Sequence, residues 1–480
     1  MAGTLDTTDT HLGKPIVVCG GGLAGHMATV YLANRLDGAR RIIFLPNVGS
    51  AVSDPLYGSV TAPSAYDFLR ALGIDEPVLI QGTSTSFSFG TAYRNWPSTN
   101  SDWVQCHHLP LAAINGVPIQ HHLTLQEANL QALLVSAVAA AAGKFAHPPQ
   151  DPRIPLSRAE YGYQFASEDL VRLLAREAGS QDIEVVTSAI ADVCTDDGAI
   201  SSVILETGVR IQGGLFVDCT GSDRRLQNAL GPSFDVERSV SVDVAIQGNE
   251  VLGPAMRTVT ASQSGWTAVT HLQERTHRLD VSDSSRGSAI QLGQVAAPWV
   301  GNCVGIGHAA CALEPLTPAP MILLQADLER LSELIPVGAG MEIERREYNR
   351  RFNDDVSHAR LFQNALFNGV EAPKAPYWED AMKSAQSEAL DRKIAQFEHR
   401  GLLVKYDLEP FNDEDWLILH QGMGRRPRYF DRLAERASIR DVRQQFSSSQ
   451  QAIQQIVSRM PPHHTYVANL KRYLEKQQNG

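Results

Sequence analysis

The chain has 480 residues, 43% of them hydrophobic, and carries a formal net charge of -11 at pH 7. This length exceeds that of most single domains, so we expect two closely packed domains or one large α/β body with an appendage. The acidic balance, and a sequence without a basic stripe interleaved with aromatic residues, exclude nucleic acid as an expected partner.

The cysteines and the N-terminus indicate a cytoplasmic protein. Six cysteines occur without CxxC spacing, and several lie in apolar runs, which favours reduced thiols over disulfides or a zinc site. Residues 1–14 are polar and contain no apolar targeting core, so we expect a flexible tail. The most apolar stretch, Leu130 to Ala142, is too short to span a membrane, which takes about 20 residues, and predicts a buried helix.

The first predicted element is a buried strand, Pro15 to Cys19, which leads into the turn Gly20-x-Gly22-x-x-Gly25 and then into a helix over His26 to Leu36. Gly20 permits a tight turn, Gly22 lets the backbone approach a pyrophosphate, and Gly25 lets helix and strand pack closely. The N–H groups and the positive dipole end of such a helix attract phosphate. The pattern predicts a dinucleotide-binding unit, with a purely structural glycine turn as the alternative.

A second buried strand, Arg41 to Leu45, follows at the distance expected for a parallel neighbour. In a complete fingerprint an acidic residue at its end binds the adenosine ribose, but Pro46 and Asn47 stand there. Asn47 can still hydrogen-bond a ribose hydroxyl, so we expect looser cofactor binding. The sequence contains no second GxGxxG, which disfavours a separate nicotinamide site and indicates that electrons arrive from elsewhere.

The remaining elements alternate between strand and helix before the chain becomes helical. Strands are predicted over Ile183 to Val193 and Ile200 to Leu205, joined by an Asp-Asp-Gly turn. A buried strand is predicted within Leu215 to Gly221, and a helix over Met321 to Leu334. From Glu342 onward the chain is highly charged and helix-prone. We therefore expect an α/β body with a helical C-terminal layer.

Short motifs, in order along nearly the whole chain, resemble the flavin-dependent tryptophan halogenase family. They are Pro15 to Asn34, Gly58 to Pro63, Leu72 to Glu76, Tyr161 to Phe165, Asp218 to Gly221, Gly307 to Ala310, Glu314 to Leu316, Tyr348 to Arg350, Trp416, Gln421 to Gly424, Pro427 and Tyr429. Their collinearity carries the resemblance. It implies a Rossmann-like, flavin monooxygenase-type α/β fold with a β-sheet substrate portion and a helical C-terminal layer.

The resemblance also implies a domain organisation and a cofactor. An FAD-binding domain over 15–335 would be interleaved with substrate-binding segments at about 80–160 and 235–300, and 340–480 would form a mainly helical region on the substrate side. In the family a separate flavin reductase supplies reduced FAD, which reacts with oxygen to give a C4a-hydroperoxide. A small-molecule or peptidyl aromatic substrate is expected, and the resemblance is compatible with a homodimer.

The resemblance and the glycine turn together assign the residues expected to contact FAD. They are Gly20, Gly22, Leu23, Ala24, Gly25, Asn47, Ile190, Gly221, Gly307, His308, Pro320 and Met321. His308 stands where many flavin monooxygenases have an aspartate. It would bond a ribityl hydroxyl or act as an acid or base near the flavin, with local packing at a helix start as the alternative.

Four features of halide handling depart from the family pattern. Ser88 replaces the lysine, and Thr317 replaces the catalytic glutamate. Ala319 and Pro320 replace the Thr-Gly pair that presents backbone amides to chloride, and a proline has no N–H to donate. Of the WxWxIP signature only Trp266 remains. A serine hydroxyl cannot replace a titratable ammonium.

The catalytic candidates are Ser88, Thr317 and His308. Because the departures all fall on halide handling, we expect an FAD-dependent oxygenase that acts on an aromatic or tryptophan-like substrate through the flavin hydroperoxide. One alternative is a tryptophan halogenase with an unorthodox site. The other is a non-catalytic flavin-binding or scaffold protein.

Two clusters contain metal-ligating residue types, namely Cys106-His107-His108 and His121-His122. If these lie on strands or in a hairpin loop, adjacent histidines point to opposite faces, so at most one from each pair could face a common ion. We expect no metal site and assign the clusters to a substrate pocket or to loop structure. A further set of aromatic residues could line that pocket or belong to the core, namely Phe87, Phe89, Tyr93, Trp96, Trp103 and Trp266.

Overall fold

The computed structural model describes residues 13–47, 51–179, 181–284, 286–337, 340–371 and 373–478. The expected tail at 1–14 lies almost entirely outside these residues. The strands are β1 (Ile16–Cys19), β2 (Ile42–Leu45), β3 (Ser86–Ser88), β4 (Gly90–Arg94), β5 (Trp103–Cys106), β6 (Gly162–Gln164), β7 (Ile183–Val185), β8 (Ile190–Asp196), β9 (Ala199–Leu205), β10 (Arg210–Ile211), β11 (Leu215–Asp218), β12 (Phe234–Gly248), β13 (Arg257–Ser262), β14 (Gly265–His271), β15 (Arg275–Ser282), β16 (Ser288–Val295), β17 (Trp299–Val300), β18 (Cys303–Gly305) and β19 (Cys311–Ala312).

The α-helices of the described residues follow the same order along the chain. They are α1 (Leu23–Leu36), α2 (Ala65–Ala71), α3 (Glu76–Gly82), α4 (Ile119–Gln126), α5 (Val135–Ala141), α6 (Ser167–Gly179), α7 (Gln227–Leu230), α8 (Ala319–Glu333), α9 (Glu342–Asn364), α10 (Pro376–Ser384), α11 (Glu388–Arg400), α12 (Asp413–Gly422), α13 (Ile439–Arg459) and α14 (His463–Gln478). Short 3-10 turns connect several of them, among them Ala51–Tyr57.

The first sheet has the strand order β17-β18-β11-β1-β2-β7, and all of its strands except β17 run parallel. The central strand β1 pairs Ile16 with Leu215 on one side and with Ile42 on the other. Every residue of β1 is buried, because a parallel sheet of this kind is covered on both faces. The glycine turn follows β1 at the carboxyl end of the sheet, where such folds bind their ligands.

The second sheet is larger and mixed, with the order β19-β16-β12-β15-β14-β13-β4-β5. Its pairs are antiparallel apart from the parallel pair of β13 with β4. The long strand β12 changes register between Val236 and Arg238. One large hydrophobic core joins this sheet to the helices of the parallel sheet. Loops between the two sheets therefore lie where a cofactor and a substrate could meet.

The C-terminal part of the chain is helical, from α9 to α14, with no strand among its described residues. Helix α13 buries Val442, Phe446, Ile453 and Val457 at helical spacing, which gives it one apolar face.

The apolar stretch from Leu130 to Ala142 contains a 3-10 turn followed by α5, whose residues are mostly buried. The buried helix predicted there is therefore shorter than expected.

The start of α1 and the structure around His121 differ from the sequence prediction, and the local backbone explains both differences. Helix α1 begins at Leu23 rather than His26, because the extended backbone of Gly22 serves as its N-cap. Helix α4 contains His121 and His122, which were predicted to lie on a strand or loop. Pro118 precedes this helix as its N-cap, and a proline suits the start of a helix.

Candidate active site

The glycine turn packs too closely against its neighbours to accept side chains. A Cβ on Gly20 would lie 2.2 Å from the carbonyl oxygen of Cys219, and one on Gly25 would lie 1.9 Å from the carbonyl oxygen of Gly20. Gly20 also has a φ of +137°, which favours glycine. These contacts bring β1, the turn after β11 and the start of α1 together, so the turn has the tight geometry that its sequence pattern predicted.

A carboxylate lies at the helix end that follows this turn. The Leu23 N–H donates to Asp54 Oδ2 at 3.0 Å, and a Cβ on Gly22 would lie 2.8 Å from Asp54 Oδ1. Burial raises the pKa of Asp54 to about 6, although the Leu23 hydrogen bond opposes the shift. Asp54 therefore stands where the N–H groups of a helix N-terminus would bind phosphate. Sequence reasoning missed it, because no motif links it to the glycine turn.

Two predicted cofactor residues, Asn47 and Ile190, line one cavity of about 710 Å³, here called the Asn47 cavity. Asn47 follows β2 and donates from its Nδ2 to the Thr187 carbonyl at 2.9 Å. Arg225 lines the same cavity and donates to the Ile190 carbonyl at 3.2 Å. The cavity thus combines an amide and a cation beside the end of β2, the place where a dinucleotide fold holds an adenosine.

The turn after β11 is held by a buried carboxylate. Asp218 accepts hydrogen bonds from the backbone N–H groups of Thr220, Leu226 and Gln227. Burial raises the pKa of Asp218, against these hydrogen bonds. Gly221, a predicted cofactor residue, has a φ of +63° in this turn. The turn therefore has a defined shape next to the glycine turn after β1.

His308 lies in a buried position with no hydrogen-bond partner for either ring nitrogen among the described residues. Its ring stacks on that of Tyr57, with the ring centroids 3.9 Å apart. Burial lowers the pKa of His308 to about 3, so its ring is neutral. Buried polar atoms in native proteins normally have a partner, so these nitrogens point to a missing ligand or water. The preceding Gly307 has a φ of +60° and donates its N–H to Asp327 Oδ2 at 3.1 Å.

The structure brings several of the predicted cofactor residues close together around α1 and α8. A Cβ on Gly307 would lie 3.3 Å from the Cβ of Ala24. Pro320 and Met321 lie buried in the first turn of α8. A cavity of about 460 Å³, here called the Gly58 cavity, extends from the glycine turn to the large sheet and is lined by Gly21, Asp54, Pro55, Gly58, Ser59 and Thr270, among others.

A separate cavity of about 410 Å³ contains Thr317, one of the three catalytic candidates, and is here called the Thr317 cavity. Ala62 and Pro63 line it, while Gly58 and Ser59 line the Gly58 cavity, so one short stretch of chain runs between the two. Its walls include both apolar rings and titratable groups, namely Tyr93, His107, Glu160, Phe411 and Asp415.

The titratable groups of the Thr317 cavity have shifted pKa values. Burial lowers the pKa of His107 to about 4 despite a hydrogen bond to the backbone of Thr61, so the ring is neutral. His107 Nε2 has no hydrogen-bond partner among the described residues. Burial raises the pKa of Glu160, and it raises that of Asp415 to about 7, with the charge of Glu160 as a smaller cause. Shifted carboxyls in a cleft are typical of functional sites.

The three catalytic candidates do not form one cluster. The hydroxyl of Ser88 is buried and donates to the Gly90 carbonyl at 3.0 Å, and Ser88 is not part of the Thr317 cavity wall. The Thr317 hydroxyl accepts a hydrogen bond from the Ala319 N–H at 3.2 Å, at the start of α8. His308 faces Tyr57 instead. The structure therefore places Ser88 in a backbone-supporting position.

Of the aromatic residues considered from the sequence, Tyr93 lines the Thr317 cavity, and Trp103 lines a groove next to α4. Trp266 is buried and donates its Nε1 proton to Glu314 Oε2 at 3.0 Å. Glu314 is fully buried and also forms an ion pair with Arg238 and accepts the Tyr377 hydroxyl at 2.7 Å. Trp266 thus belongs to a saturated polar network in the core.

Within the described ranges, His, Cys, Asp and Glu side chains form no group of three or more that could hold a metal ion. His122 Nε2 contacts the Ile114 carbonyl at 3.3 Å, and His121 Nδ1 accepts the Asp431 N–H. No helix in the described part of the chain is long and apolar enough to cross a membrane.

The parallel sheet has a glycine turn before a buried helix, and it lies next to a mixed sheet and a cavity with titratable walls. This arrangement defines a dinucleotide-binding α/β protein. A family model described as tryptophan halogenase matches residues 15–285 and 267–438. The chain therefore belongs to the tryptophan halogenase family. Enzymes of this family depend on FAD and receive it in reduced form from a separate reductase. The match therefore confirms the family, the fold class and the cofactor expected from the sequence.

Individual relatives are distant but similar over most of their length. The tryptophan 6-halogenase ThaL of Streptomyces albogriseolus is 23% identical, with 84% of each chain covered. The tryptophan 7-halogenase RebH of Lentzea aerocolonigenes is 23% identical over 80% of this chain and 81% of its own. The solved structure of BrvH, a flavin-dependent halogenase from Brevundimonas sp. BAL3, superposes with a TM-score of 0.87 at 23% identity, covering 95% of this chain and 99% of the other.

Proposed function

We propose that this protein is an FAD-dependent oxygenase that hydroxylates an aromatic, tryptophan-like ring bound in the Thr317 cavity. The observation that carries the proposal is the wall of that cavity. It contains three carboxyls whose pKa values burial raises, among them Glu160 and Asp415, and no lysine among its described residues. Those groups suit proton removal from a ring, whereas the halogenation chemistry of the family requires an amine beside the substrate.

The residues around the glycine turn fit FAD. The turn and the N-terminus of α1 would hold the pyrophosphate, and Asn47 and Arg225 would bind the adenosine side from the Asn47 cavity. The unpartnered nitrogens of His308 could each exchange a hydrogen bond with a ribityl hydroxyl. When it is bound and reduced by a separate flavin reductase, FAD would supply the activation of molecular oxygen.

The Thr317 cavity would orient the substrate by shape and by one directed hydrogen bond. Tyr93 and Phe411 contribute aromatic wall, which suits a flat ring. His107 is neutral and bonded to Thr61, so its Nε2 can accept a hydrogen bond from an indole N–H or a phenol O–H. Such a bond would increase the electron density of the ring and set its orientation.

The carboxyl pair would remove the proton that the ring loses. Hydroxylation replaces a ring C–H bond by a C–O bond, so one proton must leave the attacked carbon. One oxygen atom of O₂ enters the product, and the other leaves as water with two electrons from the reduced cofactor. Glu160 or Asp415 in its ionised form can take the ring proton, because both line the cavity and their pKa values lie above those of ordinary carboxyls.

Halogenation is the second candidate, because the chain belongs to a family of halogenases. The buried amine of Lys393 does not supply the missing lysine. Its Nζ donates to the Val404 carbonyl at 2.8 Å and to both oxygens of Glu409 at 2.8 and 2.9 Å, so all three protons are used. The loss of a backbone N–H at Pro320 also weakens a halide site.

The deciding experiment measures the products formed by the purified protein with FAD, a flavin reductase, oxygen, chloride and bromide. Tryptophan, indole, phenols and a tryptophan-containing peptide serve as substrates, and mass spectrometry identifies the products. Addition of one oxygen atom supports the oxygenase, whereas halogen incorporation supports the halogenase. If FAD binds but no compound is modified, the non-catalytic alternative is favoured. Glu160→Gln should lose product, and the exposed Glu435→Gln should not.

A further inference from the structure

One short segment contacts two parts of the proposed flavin site, the N-terminus of α1 and the Gly307-His308 turn. The space between these two parts is here called the flavin groove. This covering segment, residues Asp54–Tyr57, is the end of the 3-10 turn Ala51–Tyr57. It contacts the N-terminus of α1 through Asp54 and the Gly307-His308 turn through Tyr57. The two ends of the segment therefore contact two residues that were predicted to bind FAD, Leu23 and His308.

The first end of the covering segment supplies an anion. Asp54 Oδ2 accepts the Leu23 N–H, which is one of the backbone donors that a helix N-terminus offers to a phosphate. Its other oxygen lies next to Gly22, the glycine expected to let a pyrophosphate approach. A carboxylate and a pyrophosphate repel each other and cannot share these donors. The present contact of Asp54 therefore excludes a phosphate from the same position.

The second end supplies an aromatic ring. Tyr57 is 1% exposed and stacks on His308 with an interplanar angle of 18°. Its hydroxyl lies 2.4 Å from the position of a Cβ on Gly307. Both ring nitrogens of His308 meanwhile have no partner in the described structure. Tyr57 thus fills the space beside His308 and bonds the His308 backbone, while both ring nitrogens are left for a hydroxyl-bearing ligand.

The covering segment ends at a point that is fixed independently. Gly58 and Ser59 have φ angles of +78° and +54°, and the Gly58 carbonyl accepts a hydrogen bond from Arg257 Nη1 at 2.6 Å. Arg257 is fully buried. A displacement of the segment before Gly58 would therefore leave the stretch that separates the Gly58 and Thr317 cavities in place.

We propose that the covering segment is an internal competitor of FAD, with Asp54 in the place of the pyrophosphate and Tyr57 in the place of the ligand that bonds His308. This inference rests on the proposed flavin site. FAD binds only to the form in which the segment has left the groove, so its apparent affinity is reduced by the fraction of molecules in that form. The competition would weaken cofactor binding even though the glycine turn is tight.

The test compares FAD affinity between the wild-type protein and Asp54→Ala by titration calorimetry. Removal of the carboxylate should lower the Kd for FAD about tenfold, the size expected for one anion at a helix end. Asp67→Ala, which removes an exposed carboxylate from the first turn of α2, should leave the Kd unchanged. Equal or weaker binding by Asp54→Ala overturns the inference, while binding by the wild type preserves the flavin assignment.

A second measurement uses the wild-type protein alone and covers the case in which Asp54→Ala does not fold. Hydrogen exchange of the amides of Asp54, Leu56 and Tyr57 is followed with and without FAD. Faster exchange in the presence of FAD supports displacement of the covering segment, and slower exchange overturns it. If neither the wild type nor Asp54→Ala binds FAD, the proposed flavin function fails as well.

Discussion

Arg257 ties Gly58, the residue that follows the covering segment, to the loop before α8, because its Nη1 donates to the Gly58 carbonyl at 2.6 Å. Its Nη2 donates to the carbonyls of Pro315 and Leu316, the latter at 2.9 Å. Tyr93, which lines the Thr317 cavity, donates its hydroxyl to the same Leu316 carbonyl at 2.7 Å. One buried guanidinium thus holds together the loops of both cavities.

The first prediction concerns this guanidinium. Arg257→Lys should lower the free energy of unfolding by about 3 kcal/mol, because a lysine has no planar fork to reach three carbonyls and leaves acceptors unpaired in the core. Urea unfolding followed by circular dichroism measures the loss. Arg278→Lys, at an exposed position, should change the free energy of unfolding by less than about 0.5 kcal/mol. Equal stabilities for the two variants would contradict the role of Arg257.

The second prediction concerns the pH dependence of the proposed hydroxylation. Burial raises the pKa of Asp415 to about 7 and raises that of Glu160, and the base form of either is the ionised one. The value of kcat/KM should therefore rise with pH and level off above about 7, with apparent pKa values that belong to the pair. Glu160→Gln should reduce kcat about 100-fold with FAD binding unchanged. A flat pH profile would exclude the carboxyl pair as the base.

The third prediction separates structure from catalysis at Ser88. Its hydroxyl bonds only the backbone of Gly90 among the described residues, so Ser88→Ala should cost about 1 kcal/mol of stability and leave the turnover rate unchanged. Ser88→Lys should not create a halogenase, because the ammonium would be buried without a partner and would destabilise the fold. Loss of turnover in Ser88→Ala at full stability would restore Ser88 as a catalytic residue.

The fourth prediction concerns a partly buried network around Glu76 of α3, which reaches α14 through the contact of His147 Nδ1 with the Tyr466 hydroxyl. Glu76 accepts His147 Nε2 at 2.9 Å, the Tyr161 hydroxyl at 2.9 Å and the Tyr163 hydroxyl at 2.7 Å. Burial acts to raise the pKa of Glu76, but the bond and charge of His147 and the two hydroxyls outweigh it, so the pKa lies below its usual value.

A carboxyl with a lowered pKa in the folded state stabilises the protein above its unfolded pKa, about 4.3, and this contribution is lost as pH falls through the folded pKa. Glu76→Gln should therefore lower the free energy of unfolding at pH 7 by about 2 kcal/mol and reduce the loss of stability below pH 4. Thermal unfolding between pH 3 and 7 measures both effects. Glu435→Gln serves as the exposed control, and an identical acid response in the two variants would contradict the network.

The identity of the cofactor-binding element could be predicted from the sequence because its determinants are local. Gly20, Gly22 and Gly25 are close in sequence, and each contacts backbone or side-chain atoms at distances that exclude a Cβ. A buried strand and helix on either side also follow from short-range hydrophobic patterns. The sequence does not predict that Asn47 and Ile190 line one cavity, because they lie far apart along the chain.

Only the tertiary structure decided which groups surround the proposed flavin groove and the Thr317 cavity. Asp54 reaches Leu23 across 31 residues, and Glu160 and Asp415 line one cavity from distant parts of the chain, so no spacing in the sequence relates them. The polarity of a site depends on burial and on neighbours that side-chain packing brings together, and neither is encoded locally. The sequence by itself determined the family and the dinucleotide fold, and packing decided that Ser88 supports the backbone while Asp54 accepts the Leu23 N–H at the start of α1.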